Sequence, residues 1–471
     1  MVAARYSTLW PAAACCFLSL LVLGGCGSMA TKQKFYEPLT AELRTGEYES
    51  VAQKLEAART EGKYGKKDRF LYYLDAGLTW HYAQRYDSSI LRLSEAEQTA
   101  DDLYTKSISK AILANTLLND NALEYAGEDY EVLYTNLISA LNYLALGMFD
   151  DAFVEVRRAG DKLELLEQKY VEAHDRLAQQ TREDSSAILV DYKPDAVRFN
   201  NSAFVRYLSM HMYAADGLYD DAEIDYSYLQ SAFRSQPHIY PFDPPDIDYA
   251  LDDMAMLSVV ALTGLAPVKE ALNLRIRADK QLNLLTIIYD DGNDANTVFA
   301  NYPLPDGLGD MYAKLSIPQL KTRPSQIASV KVIVNGSVLG YLQLVEDIEL
   351  IAQETFAARQ GVILWRTVLR TIGKSLAAHK LKKKVDDGGL GGWLGKLAVD
   401  IVHDATENAD LRCAHMLPQR VHVGDFRVNP GDYDIRLEFL DQYGAVLATR
   451  DIPAVRIRAG DFNLVPSVCL R

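Results

Sequence analysis

One six-residue phrase sets the strongest limit on how this chain folds. Gly147-Met148-Phe149-Asp150-Asp151-Ala152 recurs as Gly217-Leu218-Tyr219-Asp220-Asp221-Ala222. Each copy follows an apolar run of helical period and precedes another. Leu133, Leu137, Leu141 and Leu144 line the run before the first copy, and Ala152, Val156, Ala159 and Leu163 line the run after it. Glycine between two such runs breaks the first helix and permits a tight reversal, so each copy reads as two antiparallel helices joined by a short turn. Weaker copies lie at Gly46-Glu47-Tyr48 and Arg85-Tyr86-Asp87. Aligned on Tyr48, Tyr86, Phe149 and Tyr219, a small or branched residue follows three positions on: Val51, Ser89, Ala152 and Ala222. In three units an aromatic (Trp80, Tyr143 or Tyr213) stands six positions before.

This pattern resembles the tetratricopeptide repeat, whose hairpins place a small residue where two helices cross and an aromatic in the gap. The turn aromatics here are unevenly spaced, against a repeat of about 34 residues. The expectation is therefore a degenerate array over residues 35–265, with extra helices such as 100–118 and a loop near 179–195 filling the gaps.

The N-terminus reads as an address. Arg5 precedes an apolar run from Ala12 to Leu23, of signal-peptide length and too short to span a bilayer. Leu23-Gly24-Gly25-Cys26 resembles the bacterial lipobox. That resemblance implies removal of residues 1–25 and a mature chain that starts at a lipidated Cys26 with three acyl chains. Each buried methylene contributes about 0.8 kcal/mol, so several chains anchor the protein durably. Gly27 stands where aspartate marks inner-membrane retention, which points to the outer membrane, facing the periplasm. Residues 26–34 read as a tether.

Removal of the leader takes Cys15 and Cys16, leaving Cys413 and Cys469 in the body. In an oxidising compartment a disulfide between them and two free buried thiols are both compatible with the sequence. Two distant thiols without clustered histidines make no metal site. A net charge of -15 argues against nucleic acid as a partner. The 28 tyrosines read first as packing between helices.

Proline and aromatics cluster at 236–245, and an apolar run at 250–262 reads as a last helix. From Leu272 the period becomes two, and strands are expected at 272–278, 284–289, 313–317, 330–334, 338–344, 421–428, 433–440, 446–452, 455–457 and 462–465. Asn335-Gly336 is the strongest hairpin signal. Ten short strands with turn residues between them suggest a small β-sandwich over 270–345 and 412–471, of which an immunoglobulin-like arrangement is one form.

Residues 346–411 interrupt the strands and read as a helical hairpin. Trp365 and Trp393 with Lys380, Lys382, Lys383 and Lys384 make it a candidate membrane or partner contact, against the simpler reading of a hairpin buried on the sandwich. Gly373-Lys374-Ser375 and Gly395-Lys396 fail as phosphate-binding loops, because Val368 and Leu390 occupy the required glycine positions.

Three phrases carry a wider resemblance. They are Tyr125-Ala126-Gly127-Glu128-Asp129-Tyr130-Glu131, Gly264-Leu265-Ala266-Pro267-Val268-Lys269, and Ala409-Asp410-Leu411-Arg412 with Leu417-Pro418. Together with Glu155, Arg157 and Arg158 they resemble a family of uncharacterised proteobacterial outer-membrane lipoproteins with a repeat-like helical N-terminal half. The resemblance implies no activity. The acids Glu128, Asp129, Glu131 and Glu155 read as helix caps and a solvated charged face.

The fold class expected is a multidomain α+β chain: a TPR-like α-helical array, then a small β-sandwich interrupted by a helical hairpin. The function expected is a lipid-anchored periplasmic adaptor that binds protein partners of the cell-envelope machinery and uses no cofactor. A carbohydrate- or peptidoglycan-binding lipoprotein is the alternative.

Overall fold

In the computed structural model the described residues are 33–109, 123–165, 199, 201–249, 254–289, 297–304, 310–357, 360, 363, 364, 367, 368 and 409–471. Helices fill the N-terminal half: α1 (Gln33–Thr45), α2 (Tyr48–Thr60), α3 (Arg69–Tyr82), α4 (Tyr86–Ser109), α5 (Asp129–Ala145), α6 (149–165), α7 (Ala203–Ala215) and α8 (Tyr219–Ser235). Sheets fill the C-terminal half.

The four turns read from the sequence are four copies of one cap. At α1–α2 the Gly46 N–H donates to Leu43 O and the Glu47 N–H to Glu42 O. Gly147 and Met148 repeat this toward Leu144 and Tyr143, and Gly217 and Leu218 toward Ala214 and Tyr213. These paired bonds satisfy the last carbonyls of a helix, and the residue between them must take the left-handed conformation. Gln84 occupies that place at α3–α4 with φ 60, while the three glycines have φ 89, 74 and 78. Gln84→Gly removes that strain, so it should raise stability by about 0.5–1 kcal/mol, read as an increased urea midpoint.

Close helix crossing follows from small side chains. Val51, Ser89, Ala152 and Ala222 are all fully buried. A Cβ on Gly77 would lie 2.6 Å from Leu93 of the paired helix. The same crossing is bonded, since Ser89 Oγ donates to Gly77 O at 2.7 Å.

The 250–262 expectation is corrected: Ala255–Thr263 is strand β1. All nine of its residues are buried, so polar residues never mark one face, and a run buried on both sides lacks the alternation that separates strand from helix. β1 lies in a seven-stranded sheet with the order β10-β9-β6-β7-β8-β1-β11. Its members are β6 (Ser329–Val334), β7 (Ser337–Asp347), β8 (Arg420–Val428), β9 (Gly431–Leu440), β10 (Val446–Ile457) and β11 (Asn463–Cys469). β1 pairs antiparallel with β8 and parallel with β11. At the tip of the β6–β7 hairpin Asn335 and Gly336 take φ 48 and 81, as a tight two-residue turn requires.

This sheet curls until β10 meets β1 and β11. Leu257, Val259, Val332, Leu437 and Phe439 fill the inside of the curl. On the outer side Val260, Leu262, Val421, Val423 and Leu470 share one core with the helices. The other strands, β2 (Val268–Asp279), β3 (Leu284–Tyr289), β4 (Val298–Pro303) and β5 (Met311–Lys321), form a separate sheet ordered β4-β3-β2-β5. The strands of 270–345 and 412–471 therefore divide between two sheets with separate cores instead of making one sandwich.

Helical residues 348–357 follow β7. Further along the insert, Leu364 and Val368 are buried in the core of the four-stranded sheet. Trp365, Lys380, Lys382, Lys383, Lys384 and Trp393 lie outside the described residues, as do the leader and Cys26. Among the described residues, no helix is long and apolar enough to cross a membrane.

Candidate functional site: a buried polar junction and an outward groove

The three phrases that carry the wider resemblance converge. Arg412 binds Asp410 through Nε and Nη2 at 2.9 and 2.7 Å, and its Nη1 donates to Leu123 O at 2.9 Å. Its guanidinium stands 5.2 Å from the Tyr125 ring centre. Lys269 approaches the same ring and pairs with Glu128 at 2.5 Å. Tyr125 Oη donates to Glu131 at 2.7 Å.

From this knot residues 412–417 run as a strap against the helices, and helix carboxylates take up its amides. Glu131 accepts from the Ala414 N–H at 2.6 Å. Asp75 accepts from His415 N and Met416 N at 3.0 and 3.2 Å, and from Tyr36 Oη at 2.8 Å. Tyr82 Oη donates to Met416 O, and the Ala266 N–H donates to Leu417 O. The His415 ring stacks on Tyr36 at 3.6 Å. An irregular buried segment must find a partner for each polar group, and here the helices supply them.

Two more carboxylates tie strands to helices. Glu346, at the end of β7, accepts from Tyr134 Oη, Ser202 Oγ, Tyr240 Oη and Phe204 N at 2.6, 2.6, 3.0 and 3.3 Å. Asp425 on β8 accepts from Tyr207 Oη at 2.8 Å and Ser258 Oγ at 2.6 Å, and lies 3.2 Å from His211 Nε2. This accounts for part of the tyrosine surplus. A buried tyrosine adds its ring to the core, and its hydroxyl then needs an acceptor at depth.

Burial pushes the Asp75 and Glu131 carboxyls up to about 7. Burial also pushes the Cys413 thiol up to about 12 and, with Arg323 nearby, holds His415 well below the ordinary histidine range. At neutral pH the thiol is protonated and the imidazole neutral. A thiol held protonated is a poor nucleophile, and the two carboxyls are engaged by the amides of the strap.

Of the two alternatives left open for Cys413 and Cys469, the structure has the buried free thiols. Cys413 sits in the junction, where its sulfur accepts from Lys269 N at 3.3 Å, whereas Cys469 is on β11 in the core of the curled sheet. The supposed solvated charged face is in part interior. Glu131 caps α5 as expected, taking the Glu128 N–H at 2.9 Å, yet it is only 1% exposed. Glu155 is buried as well, between Asn136 at 2.6 Å and Arg158 at 2.9 Å. Sequence reading missed Asp75, Glu346 and Asp425 altogether.

On the outward side, α6, α7 and α8 enclose an open groove of about 400 Å³. Asp221, Ile224, Asp225 and Tyr228 share one face of α8, and Val205 and Tyr213 of α7 also line it. Ile224 and Tyr228 are 53% and 50% exposed and stand one helical turn apart on the groove side of α8. Arg206 bonds Asp225 at 3.0 Å, and the Arg157 guanidinium lies 4.1 Å over the Phe153 ring. No protein-family model, curated protein or solved structure matches the chain.

Proposed function

We propose that this protein is a lipid-anchored, periplasm-facing adaptor of the bacterial outer membrane. It docks protein partners of the cell-envelope machinery on a TPR-like helical array and works without a cofactor or catalytic step. Cys26 carries the anchor. The observation that carries the reading is the α6–α7–α8 groove with Ile224 and Tyr228 open to solvent, while another side of the array is taken up by the sheet. The repeat-like character rests on the four equivalent capped turns with a small buried residue three positions after each turn aromatic. The strap and its carboxylates fix the array on the sheet, so a docked partner meets a rigid body.

Chemical crosslinking in intact cells, followed by partner identification, tests this reading. The expected result is a discrete protein adduct of the full-length lipoprotein. Recovery of glycan strands with no protein adduct would favour a peptidoglycan-binding lipoprotein instead.

A further inference from the structure

We infer that the groove selects a cationic amphipathic segment of its partner, one apolar stripe flanked by lysine or arginine. This rests on the adaptor reading and adds the chemistry of the occupant. The groove is lined by four carboxylates against two guanidiniums. The two cations are already engaged: Arg206 is paired with Asp225, and Arg157 is spread over Phe153 and Tyr213. Three carboxylates remain, Asp161 and Glu164 on the α6 wall and Asp221 on the α8 wall. All three are exposed, and among the described residues none makes an ion pair.

On the α8 wall Ile224 and Tyr228 are one helical turn apart, in line with Asp221, and face the groove. A partner helix would set its apolar stripe against them and direct its cations to Asp161 and Glu164 across the groove and to Asp221 at the end of the stripe. Such complementarity governs encounter and choice of partner more than affinity, and an acidic stripe of the same shape would be repelled. The chain's net charge of -15 attracts cations everywhere, so the test must separate the groove from that general field.

The probe is an amphipathic helical peptide with leucine on one face and lysine on the other, beside a counterpart with glutamate for lysine. Binding is measured to the full-length lipoprotein in non-ionic detergent, above a protein-free micelle baseline. The lysine peptide should bind and the glutamate peptide should not. Combined Asp161→Asn, Glu164→Gln and Asp221→Asn should weaken binding of the lysine peptide by about tenfold at low salt. Ile224→Ala with Tyr228→Ala should weaken it at high salt as well. Combined Glu37→Gln, Glu47→Gln and Glu61→Gln, which removes the same charge from exposed sites on α1 and at the two ends of α2, should leave it unchanged.

Equal loss in both charge triples would overturn the inference, and so would tighter binding of the glutamate peptide. If crosslinks from the array reach a protein that the lysine peptide fails to displace, the inference falls and the adaptor reading stands. If no protein is captured in cells, the adaptor reading falls with it.

Discussion

Replacing Asp75 by alanine should destabilise the protein by about 3–5 kcal/mol, while replacing it by asparagine should cost under about 1.5 kcal/mol. The asymmetry follows from the partners. Asp75 is fully buried, and one of its oxygens takes the amides of both His415 and Met416. Alanine leaves two strap N–H groups without an acceptor in a space water does not reach. Asparagine keeps an oxygen at that position and turns its amide toward Tyr36, whose hydroxyl can donate to Tyr64, 3.0 Å away, instead. Urea unfolding distinguishes the two. Equal losses for Ala and Asn would mean that charge, and not acceptor geometry, holds the strap.

The same residue gives a pH signature. Burial raises its carboxyl to about 7 in the folded state, against about 3.9 in an unfolded chain. Between those values the native protein holds a proton that the unfolded chain has lost. Its contribution to stability is therefore largest below the unfolded value and declines as pH rises through about 7. Glu131 adds in the same direction for the same cause. Wild type should lose stability from pH 5 to pH 8 more steeply than the Asp75→Asn variant.

The second large effect is expected at Glu346. Four donors from α5, α7 and the segments flanking α7 and α8 converge on one carboxylate at the end of β7. Glu346→Ala should cost about 4 kcal/mol or more, because several buried donors lose their acceptor together. Glu346→Gln should be milder. Three donors meet Oε2 and one meets Oε1, so a glutamine oxygen placed at Oε2 keeps three, while its amide donates to the Tyr134 hydroxyl. Tyr134→Phe removes one bond and should cost about 1 kcal/mol, whereas Tyr240→Phe also takes away the acceptor of the buried Ala203 N–H and should cost about 2 kcal/mol. Denaturant midpoints rank the four variants. A Glu346→Ala protein as stable as Tyr134→Phe would show that the helices rest on the sheet through apolar contact alone.

Much of the helical half was legible because its signals are local. A glycine turn, an aromatic and a small residue at fixed offsets sit within one hairpin, and the four capped turns lie where those residues stand. Half-buried strands such as Leu284–Tyr289 were legible for the same reason, since alternation is written in neighbouring residues. β1 was not, because burial on both sides erases alternation. β4, short and largely exposed, offered no period at all.

The carboxylates were illegible for a different cause. Asp75 meets His415, and Glu346 meets Tyr134, only through the tertiary fold. An isolated aspartate or glutamate is read as solvent-facing by default. The Tyr125, Gly264 and Ala409 phrases could be picked out as words, but nothing local said that they adjoin. The division of the strands into two sheets was hidden likewise, since alternation marks strands without saying which ones pair.

The central claim is that partners dock in the α6–α7–α8 groove. A photoreactive amino acid placed at Tyr228 in the full-length lipoprotein, activated in living cells, tests it most directly, with a matched probe at Leu91 on α4. Leu91 is 57% exposed and does not line the groove. The account predicts a discrete protein adduct from position 228, lost with Ile224→Ala, and none from position 91. Equal adducts from both positions, or adducts from 228 to glycan or lipid alone, would contradict it.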